Sequence, residues 1–122
     1  MDMPKVIHFE INADDIGRAV HFYREAFSWE VEKWGAELKY WLAKTGADDQ
    51  PGISGAIMSR FNPKASTINT IEVPSFEEYA KKIRDAGGKQ LTDKTNIPGV
   101  GDYAYFEDTE GNIFGILQPA AG

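Results

Sequence analysis

Apolar and polar residues alternate from Val6 to Asn12, so Ile7, Phe9 and Ile11 fall on one side of an expected strand and His8, Glu10 and Asn12 on the other. The period then changes. Behind Asp14 and Asp15, either of which can cap a helix, Ile16, Ala19, Val20, Tyr23, Ala26 and Phe27 recur at helical spacing and make one apolar stripe. Three short strand-like runs follow, near Trp29–Lys33, Leu38–Lys44 and Ile53–Arg60, separated by turn residues. The pattern then starts again with a strand over Thr67–Val73 and a capping-box pattern at Ser75 and Glu78. A stripe of Phe76, Tyr79, Ala80, Ile83 and Ala86 ends at Gly87-Gly88. Further strands are expected over Gln90–Thr95, Asp102–Glu107 and Asn112–Gln118, with Asp108–Asn112 as the turn between the last two.

Sliding the chain by about sixty residues superimposes Ile11 on Ile71, Ile16 on Phe76, Arg24 on Arg84, Ala26 on Ala86, Asp48 on Asp108, Ile53 on Ile113 and Gly55 on Gly115. No gap is needed. The polar, proline-bearing segment Phe61–Ser66 reads as the hinge, which gives one domain over residues 1–122 made of modules 1–62 and 63–122. Each module reads strand, helix, strand, strand, strand, an α+β arrangement. One helix can cover only one face of a small sheet. The other faces of two such units side by side are expected to line a concave cleft.

The 122 residues carry 13 Lys plus Arg against 19 Asp plus Glu, a net charge of −6 that repels nucleic acid and anionic lipid. No cysteine is present, which excludes disulfides, thiolate nucleophiles and sulfur-ligated zinc. Without a signal-peptide core or an apolar run of membrane-spanning length, a cytoplasmic location is expected.

The doubled pattern, with His8-Phe9-Glu10-Ile11, Asp14-Asp15-Ile16, the Ala19–Phe27 helix and Phe106-Glu107-Asp108-Thr109-Glu110-Gly111-Asn112, resembles the vicinal oxygen chelate superfamily of glyoxalases, extradiol dioxygenases and bleomycin-resistance proteins. Tyr40-Trp41-Leu42, Pro51-Gly52-Ile53 and Ile97–Gly101 are similar to its glyoxalase-like subgroup. The resemblance implies paired βαβββ modules, a curved mixed sheet with a concave ligand cleft, and a homodimer. It also implies a divalent ion held by one residue on each of four strands. Those positions carry over to His8, Gly55, Ile68 and Gly115, of which only His8 has a donor side chain. One imidazole does not hold such an ion, so no cofactor and no complete metal site are expected, with a divalent metal at His8 kept as the alternative.

As pocket residues, His8 and Glu10 are the candidates for acid and base work, with Glu72 on the matching face of the fifth strand. Either carboxylate can equally be a solvated strand residue. Trp41, Tyr103 and Tyr105 are expected to line the cleft, with Gly55 and Gly115 deepening its floor and Ile57, Ile68, Ile113 and Leu117 making it apolar. Tyr40 and Trp41 point to opposite faces, and because both parities there are apolar, alternation does not say which faces the cleft. His21 lies opposite the helical stripe and reads as a surface residue. Gly99–Ala104 fits G-x-G-x-x-A but enters a strand instead of a helix, and reads as a flexible loop. No serine sits in a nucleophile elbow.

Two functions follow from this reading. The first is a binding protein for a small organic molecule, and the second a metal-dependent lyase, isomerase or dioxygenase of lactoylglutathione-lyase type. A vestigial cleft in an oligomerising subunit is a weaker third.

Overall fold

The computed structural model describes residues 3–35 and 39–121. Its elements are β1 (Lys5–Ala13), α1 (Ile16–Phe27), β2 (Glu30–Lys33), β3 (Tyr40–Lys44), β4 (Gly55–Ser59), β5 (Thr67–Glu72), α2 (Phe76–Asp85), β6 (Lys89–Gln90), β7 (Thr95–Ile97), β8 (Gly101–Glu107) and β9 (Ile113–Pro119). The α+β class and the strand–helix–strands order of both halves follow the alternation in the sequence. Leu38, where the third strand was expected to begin, lies outside the described residues. No helix among the described residues is long and apolar enough to cross a membrane.

By packing, the chain forms two compact units, His8–Ile68 and the remaining residues. In the first, the strand order is β2-β3-β4-β1, antiparallel except for the parallel β1–β4 pair. Asp15 caps α1 by accepting the Arg18 N–H, and Ser28 ends it in the left-handed region with its own N–H on the Arg24 carbonyl. The helical stripe meets Ala13, Val31, Ala43 and Ile57, with Ile11, Trp29 and Trp41 packed alongside. Tyr23 stacks on Trp29 with ring centroids 4.9 Å apart, and Arg24 lies 5.8 Å over the Trp41 ring.

In the second unit the order is β5-β9-β8-β6, and β7 also pairs with β8. Ser75 caps α2 through the Glu78 N–H, and Gly87, at φ +101°, turns the chain so that the Gly88 N–H reaches back to Ile83. The core of this half is Val73, Phe76, Ala80, Ala104, Phe106 and Ile116, with Phe106 fully buried. The strand expected over Gln90–Thr95 is broken into β6 and β7. Between them the Thr92 hydroxyl accepts the Tyr105 N–H at 2.9 Å, a side chain substituting for a ladder bond.

Of Gly99–Ala104, expected as a flexible loop, Gly101–Ala104 belongs to β8, and Gly99 and Val100 lie in a tight turn in which the Val100 N–H bonds the Ile97 carbonyl at 2.9 Å. Pro98 fixes one turn angle and Gly99 supplies φ +78°, the combination a type II turn requires.

The internal repeat is shifted in the last strand of each half. Ile11 pairs with Ile57, and its counterpart Ile71 pairs with Ile116, an offset of 59 residues and not 60. A one-residue slip reverses which face a strand residue occupies. Gly55 therefore shares the helix-side face with Ile57 and Phe9, whereas Gly115 faces the opposite way, beside Thr70 and Tyr105. A Cβ at Gly55 would lie 2.3 Å from the Phe9 carbonyl oxygen and 2.6 Å from its ring; at Gly115 the nearest atom is 3.6 Å away. Gly55→Ala is expected to destabilise the protein by about 1–3 kcal/mol and Gly115→Ala by less, read from urea midpoints at an unchanged slope.

Candidate functional site

With one face of each sheet covered by its own helix, the uncovered faces carry the remaining side chains. On the first unit, strand parity puts His8, Glu10 and Asn12 of β1, Ala56 and Met58 of β4, and Tyr40 and Leu42 of β3 on that face. The Tyr40 hydroxyl reaches from β3 across β4, where short Ala56 leaves room, to β1. It donates to Glu10 Oε2 at 2.6 Å and lies 2.8 Å from His8 Nε2. A phenol has one proton, so with that proton directed at Glu10 its oxygen accepts from His8 Nε2–H. The His8 and Tyr40 rings are nearly parallel, 15° apart, and Trp34 packs its edge against Tyr40 at 5.9 Å.

Glu10 is 6% exposed, so its carboxylate is held in a largely dry setting in which hydrogen bonds to it count for more. Asn12 is equally buried: its backbone N–H and side-chain Nδ2 both donate to the Ser66 carbonyl, at 2.8 and 3.1 Å. Asn12 Oδ1 is buried without a hydrogen-bond partner, an arrangement that costs about 1–3 kcal/mol.

The expected site residues divide between the two faces. His8 and Glu10 come together as anticipated, with Tyr40 between them. Trp41 does not face the cleft side: it lies two positions from buried Ala43, on the same face, and joins the core under α1. Ile57 is likewise fully buried in that core, and Gly55 makes room for the Phe9 ring instead of deepening a floor. On the second unit Tyr103, Tyr105 and Gly115 do share the uncovered face, since Ala104 and Phe106 take the helix side. Leu117 pairs with Tyr103 and Glu72, and Ile113 with Glu107, on that same face. The two tyrosine rings meet edge to face at 5.9 Å. Ile68, buried near the start of β5, has the parity opposite to core residue Ile71. His21 is exposed.

Tyr40 is the residue that sequence reasoning left undecided. The available signal was Ala43: a residue too small to anchor a face by itself, but placed opposite Val31 and Gly55. A shallow depression of about 370 Å³ on the first unit, lined by Ser28, Glu30, Lys44, Thr45, Gly46 and Ala47, contains none of the expected residues.

These residues do not fit the divalent ion that the resemblance implies. Gly55, Ile68 and Gly115 bring no donor atom, Gly55 looks toward the helix, and His8 Nε2 is engaged in its hydrogen bond with Tyr40. Among the described residues no three of His, Asp and Glu gather at cation-binding distances.

Burial pushes the His8 imidazole below its usual value of 6.5, and the Glu10 charge opposes this only in part. The unfolded chain therefore binds a proton at His8 more readily than the folded one. The resulting stability is complete above pH 6.5 and is lost as the pH falls from there toward the lower folded value.

The family profile described as bleomycin resistance protein-like N-terminal matches residues 5–46. A protein of Didymella fabae named glyoxylase-like domain-containing protein is 27% identical over 114 residues, covering 88% of each chain. Among solved structures, a Streptomyces coelicolor methylmalonyl-CoA epimerase in complex with 2-nitronate-propionyl-CoA superimposes with a TM-score of 0.66 at 17% identity, covering 98% of this chain and 100% of its own. The Mycobacterium tuberculosis methylmalonyl-CoA epimerase gives 0.64 at 12% identity, covering 95% and 88%. A hypothetical protein of Bacillus halodurans gives 0.67 at 12%, covering 99% and 98%. At these identities the superpositions establish the fold.

In urea titrations between pH 7.5 and 5, wild-type stability is expected to fall on the acid side of pH 6.5, and His8→Gln to remove that part of the slope. An identical slope in the variant would mean that other groups set the acid limb.

Proposed function

We propose that the chain, which resembles the vicinal oxygen chelate superfamily, binds a small organic molecule on the sheet face around His8, Tyr40 and Glu10 that α1 does not cover. The observation that carries this reading is the hydrogen-bonded histidine, tyrosine and glutamate on a face the helix leaves open. A few fixed polar groups among apolar side chains are what orient a small ligand. Met58, Leu42 and Trp34 supply the apolar part nearby. In the second unit, Tyr103, Tyr105 and Gly115 are proposed ligand-contacting residues, and Ile68, the last residue of the first unit, is a further one. Their support is strand parity together with the amphipathic character of tyrosine.

The donor set argues for a ligand held without a metal ion. A second reading, an isomerase or lyase, is favoured by one finding, the likeness in fold to methylmalonyl-CoA epimerases. Fold by itself does not carry chemistry over. A homodimer is the proposed assembly, resting on the family resemblance.

Screening small aromatic and oxygenated compounds by thermal unfolding is expected to find ligands that raise Tm by several degrees at concentrations far above Kd, with the gain lost in Tyr40→Ala. After exposure to nickel, zinc, manganese and iron salts and dialysis, elemental analysis is expected to find well below one metal per chain. Stoichiometric metal that disappears in His8→Ala, or robust turnover of the methylglyoxal–glutathione hemithioacetal, would favour the second reading.

A further inference from the structure

We propose that His8, Tyr40 and Glu10 form a metal-independent proton relay in which His8 Nδ1 is a general base toward small molecules carrying an acidified C–H bond. The proposal rests on reading this face as a ligand site, and adds a reactivity to it.

The hydrogen-bond directions carry the argument. The Tyr40 proton is committed to Glu10 Oε2 at 2.6 Å, so the phenol oxygen is an acceptor for His8 Nε2–H at 2.8 Å. In a neutral imidazole a proton on Nε2 leaves the lone pair on Nδ1. The free basic nitrogen is therefore selected by a partner 32 residues away in sequence. When Nδ1 takes a proton, the ring becomes positive, and both its Nε2–H bond and the O–H bond behind it strengthen toward the Glu10 carboxylate. This is the orienting logic of a carboxylate behind a histidine, with a tyrosine inserted between them. Tyr40 and Glu10 are positioning residues in this scheme, and His8 alone touches the reacting atom.

The chemistry on the page also limits the substrate. Burial weakens His8 as a base. A C–H bond already acidified by an adjacent carbonyl, nitro group or ring heteroatom matches that strength. The step balances without a further reactant: the C–H bond breaks, its electron pair stays with the substrate, and the proton goes to Nδ1. Return of that proton to the same or a neighbouring atom leaves an isomer and restores the imidazole.

Two measurements on the full-length protein test this. Two-bond ¹H–¹⁵N correlations of His8 are expected to show the Nε2–H tautomer, with Tyr40→Phe giving a mixture; an Nδ1–H tautomer in the wild type would overturn the proposal. As a probe, 5-nitrobenzisoxazole loses its C3 proton to the base while its N–O bond breaks, releasing a coloured nitrile-bearing phenolate. Wild-type protein is expected to release it about tenfold or more faster than His8→Gln, with Tyr40→Phe and Glu10→Gln between the two. Equal rates in wild type and His8→Gln would overturn the relay. Probe-induced shifts of β1 and β3 amide resonances separate the two ideas. Shifts without acceleration would sink the relay and keep the ligand site, whereas neither shifts nor acceleration would count against both.

Discussion

One helix per small sheet is the constraint on which everything else in this protein depends. A strand has two faces, and an apolar stripe the width of α1 or α2 can dry out only one of them. On the dried face the chain spends its aliphatic and aromatic residues: Ile57, Val31 and Ala43 in one unit, Phe106, Ala104 and Ile116 in the other. The opposite face carries polar groups held in fixed orientations, and the first unit uses it for His8, Tyr40 and Glu10, the last of them buried. Asn12, on that same face, keeps a buried carbonyl oxygen without a partner, a cost that a face selected only for stability would have shed.

Much of this was legible in the chain before any coordinates. The alternation at Val6–Asn12, the capping residues Asp15 and Ser75, and the spacing of both helical stripes located β1, α1 and α2 to within a residue or two. These are local signals, each set by a period or a cap. The facing of the later strands was not local. At Tyr40-Trp41-Leu42 both parities are apolar, so what decides is the partner strand: Ala43 sits against Gly55, and Trp41 follows it under the helix. The repeat misled in the same region. Matching Gly55 to Gly115 is correct as letters and wrong as geometry, because the last strands of the two halves differ by one position in register. Gly55 and Ile57, which lie on β4, face the helix side for that reason, whereas Trp41 on β3 follows Ala43 there.

The two halves also differ in what they made of their open faces. The first places a basic nitrogen, a phenol and a carboxylate in one hydrogen-bonded line, whereas the second places two tyrosines edge to face above a glycine. Their helices have parted in a smaller way. Gly87 supplies the left-handed residue after α2, while Ser28 takes that conformation after α1 with a side chain attached.

The interruption between β6 and β7 bears on how the molecule behaves in a crowded solution. An outermost strand with a long run of unused amides invites a foreign chain to extend the ladder, the first step toward fibrils. Here the rim beside β8 is cut into pieces of two and three residues, and a threonine hydroxyl occupies the amide of Tyr105 at the break. At the other unit's rim, Glu30, Glu32 and Lys33 place charges along β2. Colloidal safety in this fold is thus written into its borders, leaving its open faces at liberty to be sticky.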